Sequence, residues 1–236
     1  ANGAILAHVP VLQSDQALQA GQMTHPVSGA ACPQIAATTG NYLAPHSGFA
    51  GIPKGHITPI ISSDGAVRQV PALICVDSRP YPALALTALL QGFAGEDWRV
   101  TLRDSDSVFG PHQVLELNAY PGLQIPLDQN GNLRISYQRA PDSYQAVSAV
   151  DVMNGAIEPG MLENTWVLVG ATAFGIGDIV PTPYTGTAPG VEIQARLLTS
   201  LLDDAIPYTP RISGLLLGLL SFAFAGILFV LAGARD

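Results

Sequence analysis

Charge is scarce in this chain. Asp, Glu, Lys and Arg together make up 12% of its 236 residues, about half the roughly 25% usual for a soluble domain. Hydrophobic residues reach 48%, which excludes a disordered chain and calls for a filled core. Cations are scarcer still. Ten basic residues stand against eighteen acidic ones, the formal net charge is -8, and Lys54 is the single lysine. A nucleic-acid surface needs clustered cations to neutralise phosphates, so that class of partner is excluded. Cysteine is limited to Cys32 and Cys75. An even pair fits one disulfide in an oxidising compartment, and closing so long a loop contributes about 4 kcal/mol on the chain-entropy model. Cys75, inside Leu73-Ile74-Cys75-Val76, reads equally well as a buried free thiol. The start, ANGAIL, has neither an initiator Met nor an export signal, and it reads as the cut edge of a longer protein.

Signatures of catalysis and of metal binding are missing as well. The stretch from Gly170 to Asp178 follows an apolar run, as phosphate loops do, but it lacks the Lys-Ser/Thr pair and the dinucleotide glycine spacing. Asp104-Ser105-Asp106 opens like a calcium loop, yet Val108 and Leu115 stand where oxygen ligands are required. Asp128, Asn130 and Asn132 fail the same template and read as a hairpin turn. His8, His25, His46, His56 and His112 show no close ligand spacing, and no Gly-x-Ser-x-Gly elbow is present. No catalytic residue, metal or cofactor is therefore expected. If a ligand is bound, residues 59–64 and 171–183 are its expected neighbourhood, because loops after buried strands form ligand sites. The polar candidates are His56, Asp64, Arg68, Thr172, Asp178 and Glu192. Asp64 also has a plainer reading, since Asp64-Gly65 between two apolar runs is hairpin chemistry.

What is present is apolar patterning. Residues 212–232 run for 21 residues without a charge, enough for a helix of about 31 Å, the thickness of a bilayer's hydrocarbon core. Arg211 and Arg235 flank it, one on each side, and so do not orient it. Upstream, strands are expected at 2–12, 57–61, 66–76, 98–102, 114–117, 123–127 and 133–137. A short continuous run at 166–169 (WVLV) has the pattern of a strand buried on both faces. Helices are expected near 15–20, at 82–91, after Ser148 with Asp151 in the first turn, and at 189–202. In the last, Ile193, Leu197, Leu198 and Leu201 share one face. The pattern gives an α/β or α+β domain, a mixed β-sheet with packed helices, over residues 1–206, followed by one C-terminal transmembrane helix. Residues 13–54 lack periodicity and read as loops or an insertion.

The ordered set Gly55-His56-Ile57, Asp64 to Pro71 (DGAVRQVP), Tyr81 to Leu86 (YPALAL), Gly131 to Tyr137 (GNLRISY), Tyr144 to Val152 (YQAVSAVDV), Trp166 to Ala173 (WVLVGATA), Asp178 with Pro181-Thr182-Pro183, and Pro189 to Ala195 (PGVEIQA) resembles the CHASE2 domain. That family consists of extracytoplasmic sensory modules of bacterial transmembrane receptors. The resemblance implies a periplasmic domain on the inner membrane, with a span that leads to a cytoplasmic output. Family outputs include histidine kinases, nucleotide cyclases, and diguanylate cyclases or phosphodiesterases. The resemblance supplies no binding residues. The expected function is to sense a small-molecule or protein signal and relay it through the 189–202 helix and the 207–210 link into the membrane. A homodimer is the expected assembly. Two other readings stand beside it: a dimerisation or protein-interaction module without a small ligand, and a membrane-tethered hydrolase using Asp178 with His56 or Glu192.

Overall fold

Short apolar runs punctuated by Gly, Pro and Asp give short strands, and the structure, a computed structural model, contains many of them. It describes residues 3–14, 16–93, 98–140, 143–172, 178–184 and 186–233. Asp15, Gly95, residues 173–177 of the Gly170–Asp178 stretch and Arg235 lie outside the described residues. The strands of the first half are β1 (Leu6–Pro10), β2 (Gln19–Ala20), β3 (Thr38–Thr39), β4 (Tyr42–Leu43), β5 (Lys54–His56), β6 (Ile60–Ile61), β7 (Val67–Pro71), β8 (Leu73–Val76) and β9 (Arg79–Pro82). Helix α1 (Leu84–Phe93) follows, then β10 (Val100–Asp104), β11 (Gln113–Leu117), β12 (Gln124–Leu127) and β13 (Asn132–Arg134). The chain closes with α2 (Ala149–Met153), the hairpin β14 (Ile179–Thr182) and β15 (Gly186–Pro189), α3 (Gly190–Leu202) and α4 (Ser213–Gly233).

The fold is α+β. Among the described residues the strands form five small sheets, ordered β2-β4-β1-β5, β3-β8-β9, β13-β7-β6, β10-β11-β12 and β14-β15. The first two are mixed: β1 runs parallel to β5 and antiparallel to β4, and β8 runs parallel to β3 and antiparallel to β9. Helices α1 and α3 pack on each other and share one core with Leu73, Leu115, Leu127 and Leu133. Gly55 of β5 makes room for α1, since a Cβ there would sit 2.5 Å from Leu84 Cα.

Several expectations meet their elements. The turn at Ser62–Gly65 joins β6 to β7, with Gly65 at φ +83°. Ser148 Oγ caps α2 by accepting from Val150 N at 3.3 Å. Ile193, Leu197, Leu198 and Leu201 of α3 are all buried.

Other expectations are corrected. Residues 19–20 form a strand, β2, rather than part of a helix at 15–20, because Tyr42 N donates to Leu18 O at 2.7 Å and draws the chain into pairing with β4. The expected strand 66–76 breaks at Ala72 into two strands of different sheets. Pro82 ends β9 instead of opening α1, and β9 itself returns through Asp77 and Ser78, both at positive φ. Residues 166–169 form no strand and pair with no described strand, and Trp166 and Val169 are 46% and 88% exposed. An apolar run shows what needs covering; it does not show whether a partner edge reaches it.

Residues 13–54 are woven into the domain. Thr38 and Thr39 pair with Cys75 and Val76, Ser28 N donates to Trp98 O at 3.0 Å, and a disulfide joins Cys32 to Cys75. At the other end α4 stands alone. Its mean hydropathy is 2.3 over Ser213–Val230, and none of that window is buried. Its start is clamped to the β10–β11 loop, where Arg211 N donates to Gly110 O at 3.0 Å and Ile212 N to Val108 O at 3.1 Å.

Candidate functional site

Where α1, α3 and the start of β1 converge, the small residues Ala85 and Ala88 of α1 leave a cavity of about 550 Å³. Leu6 and Ala7 line one side and Val191, Gln194 and Leu198 of α3 another. Residues 166–171 form the outer wall, and Ile57 and Pro59 reach it from the segment before β6. The walls are mainly apolar, as small-molecule sites usually are. Two polar residues line the space. Gln194 is only 4% exposed, and its Oε1 has no hydrogen-bond partner among the described residues. Asp178 stands at the rim, where its carbonyl accepts from Gly190 N at 2.6 Å. Its carboxylate lies against Gly190 at the start of α3, the end of a helix that favours negative charge. Mainly apolar walls with a carboxylate at the rim suit an apolar molecule carrying an N–H or O–H donor.

The predicted site residues scatter around this cavity. Asp178 belongs to it. Thr172 is exposed beside the outer wall, without lining it. Glu192 is committed to Arg196 instead: the guanidinium, 1% exposed, donates to Glu192 Oε1 at 2.8 and 2.7 Å and to the Arg139 carbonyl at 2.7 Å. Tyr137 and Tyr144 flank the same cation, with ring centroids 5.2 and 5.6 Å away, a cation–π arrangement. Asp64 and Arg68 form an exposed pair at 2.5 Å, and Asp64 Oδ1 also accepts from Ala66 N within the turn. The hydrogen bond from Arg68 is the main reason that the Asp64 carboxyl titrates below its ordinary range. Both residues hold the hairpin.

His56 is wholly buried on β5, beside β1. With His8, Lys54 and Tyr81 it forms a second polar group inside the domain. The rings of His8 and His56 lie 6.4 Å apart, and His8 meets Tyr81 edge-on at 5.8 Å. Neither histidine makes a hydrogen bond of good geometry among the described residues. Burial, helped by the Lys54 charge, pushes His8 down to about 4. Burial likewise holds His56 well below its usual value, with His8 adding to the effect and the Pro71 backbone opposing it. Lys54 Nζ donates to Thr24 Oγ1 at 2.6 Å and to the Phe49 and Ile52 carbonyls at 2.7 and 3.2 Å, and burial lowers its pKa too. A hydrolase built from Asp178 with His56 or Glu192 is not assembled, because His56 is sealed in the core and Glu192 is bound to Arg196.

The two rejected calcium templates have local roles. Asp128 Oδ1 accepts from Asn130 N at 2.8 Å and Asn132 N at 2.9 Å, which makes the β12–β13 turn. Arg103 bridges Asp106 and Glu116 at 2.8 and 2.7 Å. A smaller, more polar cavity of about 320 Å³ lies between that turn and Tyr208.

Gln194 was legible but passed over. It lies four residues before Leu198 and seven before Leu201, on the apolar stripe itself, and a polar residue there marks a gap in the packing. Lys54 offered a similar signal, a lone lysine within IPKGHI.

Comparison with known proteins identifies the family. The family model of the CHASE2 domain aligns with residues 11–232, which include α1, α3 and residues 13–54 but not the residues 3–7 that also line the cavity. No curated protein and no solved structure matches the chain.

Proposed function

The chain belongs to the CHASE2 family of extracytoplasmic sensor domains in signalling receptors, and from that premise we propose that it senses a small, largely apolar molecule in the cavity between α1, α3 and β1. One observation carries this reading: α3 both walls the cavity and leads, through the 207–210 link, to the helix apolar enough to span a membrane. A ligand contacting Gln194 and Leu198 thus acts on the element nearest the output. A ligand shifts a two-state domain only through a difference in affinity between the states, and a helix wall that moves against a tethered span supplies that difference. The β10–β11 loop is a second coupling, since it holds Arg211 and Ile212 immediately before α4. In this reading residues 1–206 are the sensory domain and stand in the periplasm, and α4 anchors them in the inner membrane. The homodimer drives a cytoplasmic kinase, nucleotide cyclase, or diguanylate cyclase or phosphodiesterase.

Native mass spectrometry of the full chain, released from detergent micelles, tests the cavity. A small-molecule adduct is expected on the wild type and absent from Ala88→Phe, which fills the cavity while keeping α1 helical. No adduct, together with no thermal shift from a panel of apolar amines and alcohols, sinks the ligand reading. The exposed side chains of Val150, Val152 and Met153 on α2 favour the second reading, a docking face for another protein. A ligand-free dimer whose contacts map to α2 gives the weight to it.

A further inference from the structure

We propose that the open edge of β1 is a strand-acceptor surface whose occupant is the chain's own segment 166–169, Trp-Val-Leu-Val, docking there as a parallel strand and filling the cavity it now borders. The hydrogen-bond pattern of β1 shows which edge is open. Leu6 N donates to Pro53 O at 2.9 Å, and His8 O accepts from Ile57 N at 3.1 Å, so residues 6 and 8 address β5. In a parallel ladder alternate residues address opposite edges, which turns the peptide groups of Ile5 and Ala7 the other way. That second edge is taken by β4 only at Val9 and Pro10. Over residues 3–7 no described strand pairs there, and Ala7 is exposed.

The segment faces this edge across the cavity, since residues 3–7 and 166–171 line the same space. Both also start from the same end of α1. A Cβ at Gly3 would lie 3.5 Å from Gln91 Nε2, and one at Gly92 would lie 3.1 Å from Trp166 Cζ2. Docking therefore runs parallel to β1, as β5 does on the far side. Four residues span about 13 Å at 3.3 Å each, close to the length of the open edge. The side chains agree. Aromatic and β-branched residues fit a pleated surface, and an unbroken apolar run is the pattern of a parallel strand covered on both faces. As placed, Trp166, Val167 and Val169 are 46%, 53% and 88% exposed, next to a cavity of about 550 Å³. Protein interiors otherwise pack close to crystal density, so one of two occupants fills this space.

Segment and small ligand compete for it, and each excludes the other. That competition rests on the ligand reading above; the docking itself does not. It supplies the discrete pair of states that a sensor needs.

Amide hydrogen exchange, read residue by residue on the full chain in micelles, is the test. Docking slows the amides of Ile5, Ala7, Val167 and Val169 about 100-fold below free-peptide rates, the mark of a closed local structure. Val167→Pro removes one of the amides that bond to β1, breaks the added strand and returns Ile5 and Ala7 to fast exchange, while α1 and Leu6 stay protected. If the proline variant does not fold, the wild-type measurement decides alone. Fast exchange at Ile5 and Ala7 beside a protected Leu6 overturns the proposal. Protection that vanishes on dilution together with a dimer also overturns it, because the strand then comes from a second copy. A missing native-mass adduct leaves these rates untouched, so the two readings fail separately.

Discussion

At the residue scale the informative groups are the ones that burial makes uncomfortable. Lys54 is fully buried and satisfied by a hydroxyl and two carbonyls; among the described residues no carboxylate pairs with it. A second cation nearby is therefore disfavoured twice over, by desolvation and by repulsion, and His8 and His56 stay neutral. The consequence for stability has a definite sign. His8 titrates at about 4 in the fold, against about 6.5 in an unfolded chain. Its contribution is complete above pH 6.5 and is lost as the pH falls from 6.5 towards 4, because the unfolded chain takes up the proton first. Between pH 7 and 5 that loss amounts to about 2 kcal/mol. Urea unfolding at both pH values is expected to show it, with His56 adding in the same direction. His8→Phe is expected to shrink the difference by about 2 kcal/mol; an unchanged difference sinks this account of His8. None of this was legible in the sequence. His8 and His56 lie 48 positions apart, and their isolation appears only when β1 and β5 pair.

At the scale of elements, α3 shows where reading a sequence succeeds and where it stops. Its stripe of Ile193, Leu197, Leu198 and Leu201 follows from the helical period alone. The burial of Arg196 does not, because Tyr137, Tyr144 and the Arg139 carbonyl come from more than fifty residues upstream. Tyr137 passes the connection on by donating to Val67 O of β7 at 2.6 Å, and burial raises its own pKa to about 12. Arg196→Ala is expected to cost about 3–5 kcal/mol in urea unfolding, the range for breaking a buried pair. Arg196→Lys is expected to recover only part of it, lacking the planar fork. A loss below 1 kcal/mol would mean that the pair is dispensable. Turns divide in the same way. Asp64-Gly65 announces itself, since glycine takes positive φ freely. Asp77 and Ser78 take positive φ without a glycine, so the β8–β9 hairpin stayed hidden. The 166–169 run gave its chemistry correctly, as an apolar segment that needs cover, but not its place.

For the molecule as a whole, residues 13–54 are the part least legible in the sequence, yet they are tied down by strand pairing and a disulfide. Their periodicity is weak because their strands are two residues long, and what orders them lies elsewhere: β8, Trp98 and the Cys32–Cys75 disulfide. That bond closes a separation of 43 residues, which on the chain-entropy model contributes about 4 kcal/mol. Reduction, or Cys32→Ser with Cys75→Ser, is expected to lower the melting temperature by roughly 10 °C, read by calorimetry; a shift below 2 °C would show that the strands alone hold the segment. Helix α4, long and apolar enough to span a membrane, was the easiest element to read, since its length and lack of charge need no tertiary partner. Lys54 has a practical bearing on how such a domain is handled. The only side-chain amine of the chain is sealed beneath Thr24, Phe49 and Ile52. Acylating reagents and amine-coupled surfaces therefore find no lysine on the folded domain, and side-chain acylation at this position becomes a clock for how often the 24–54 region opens.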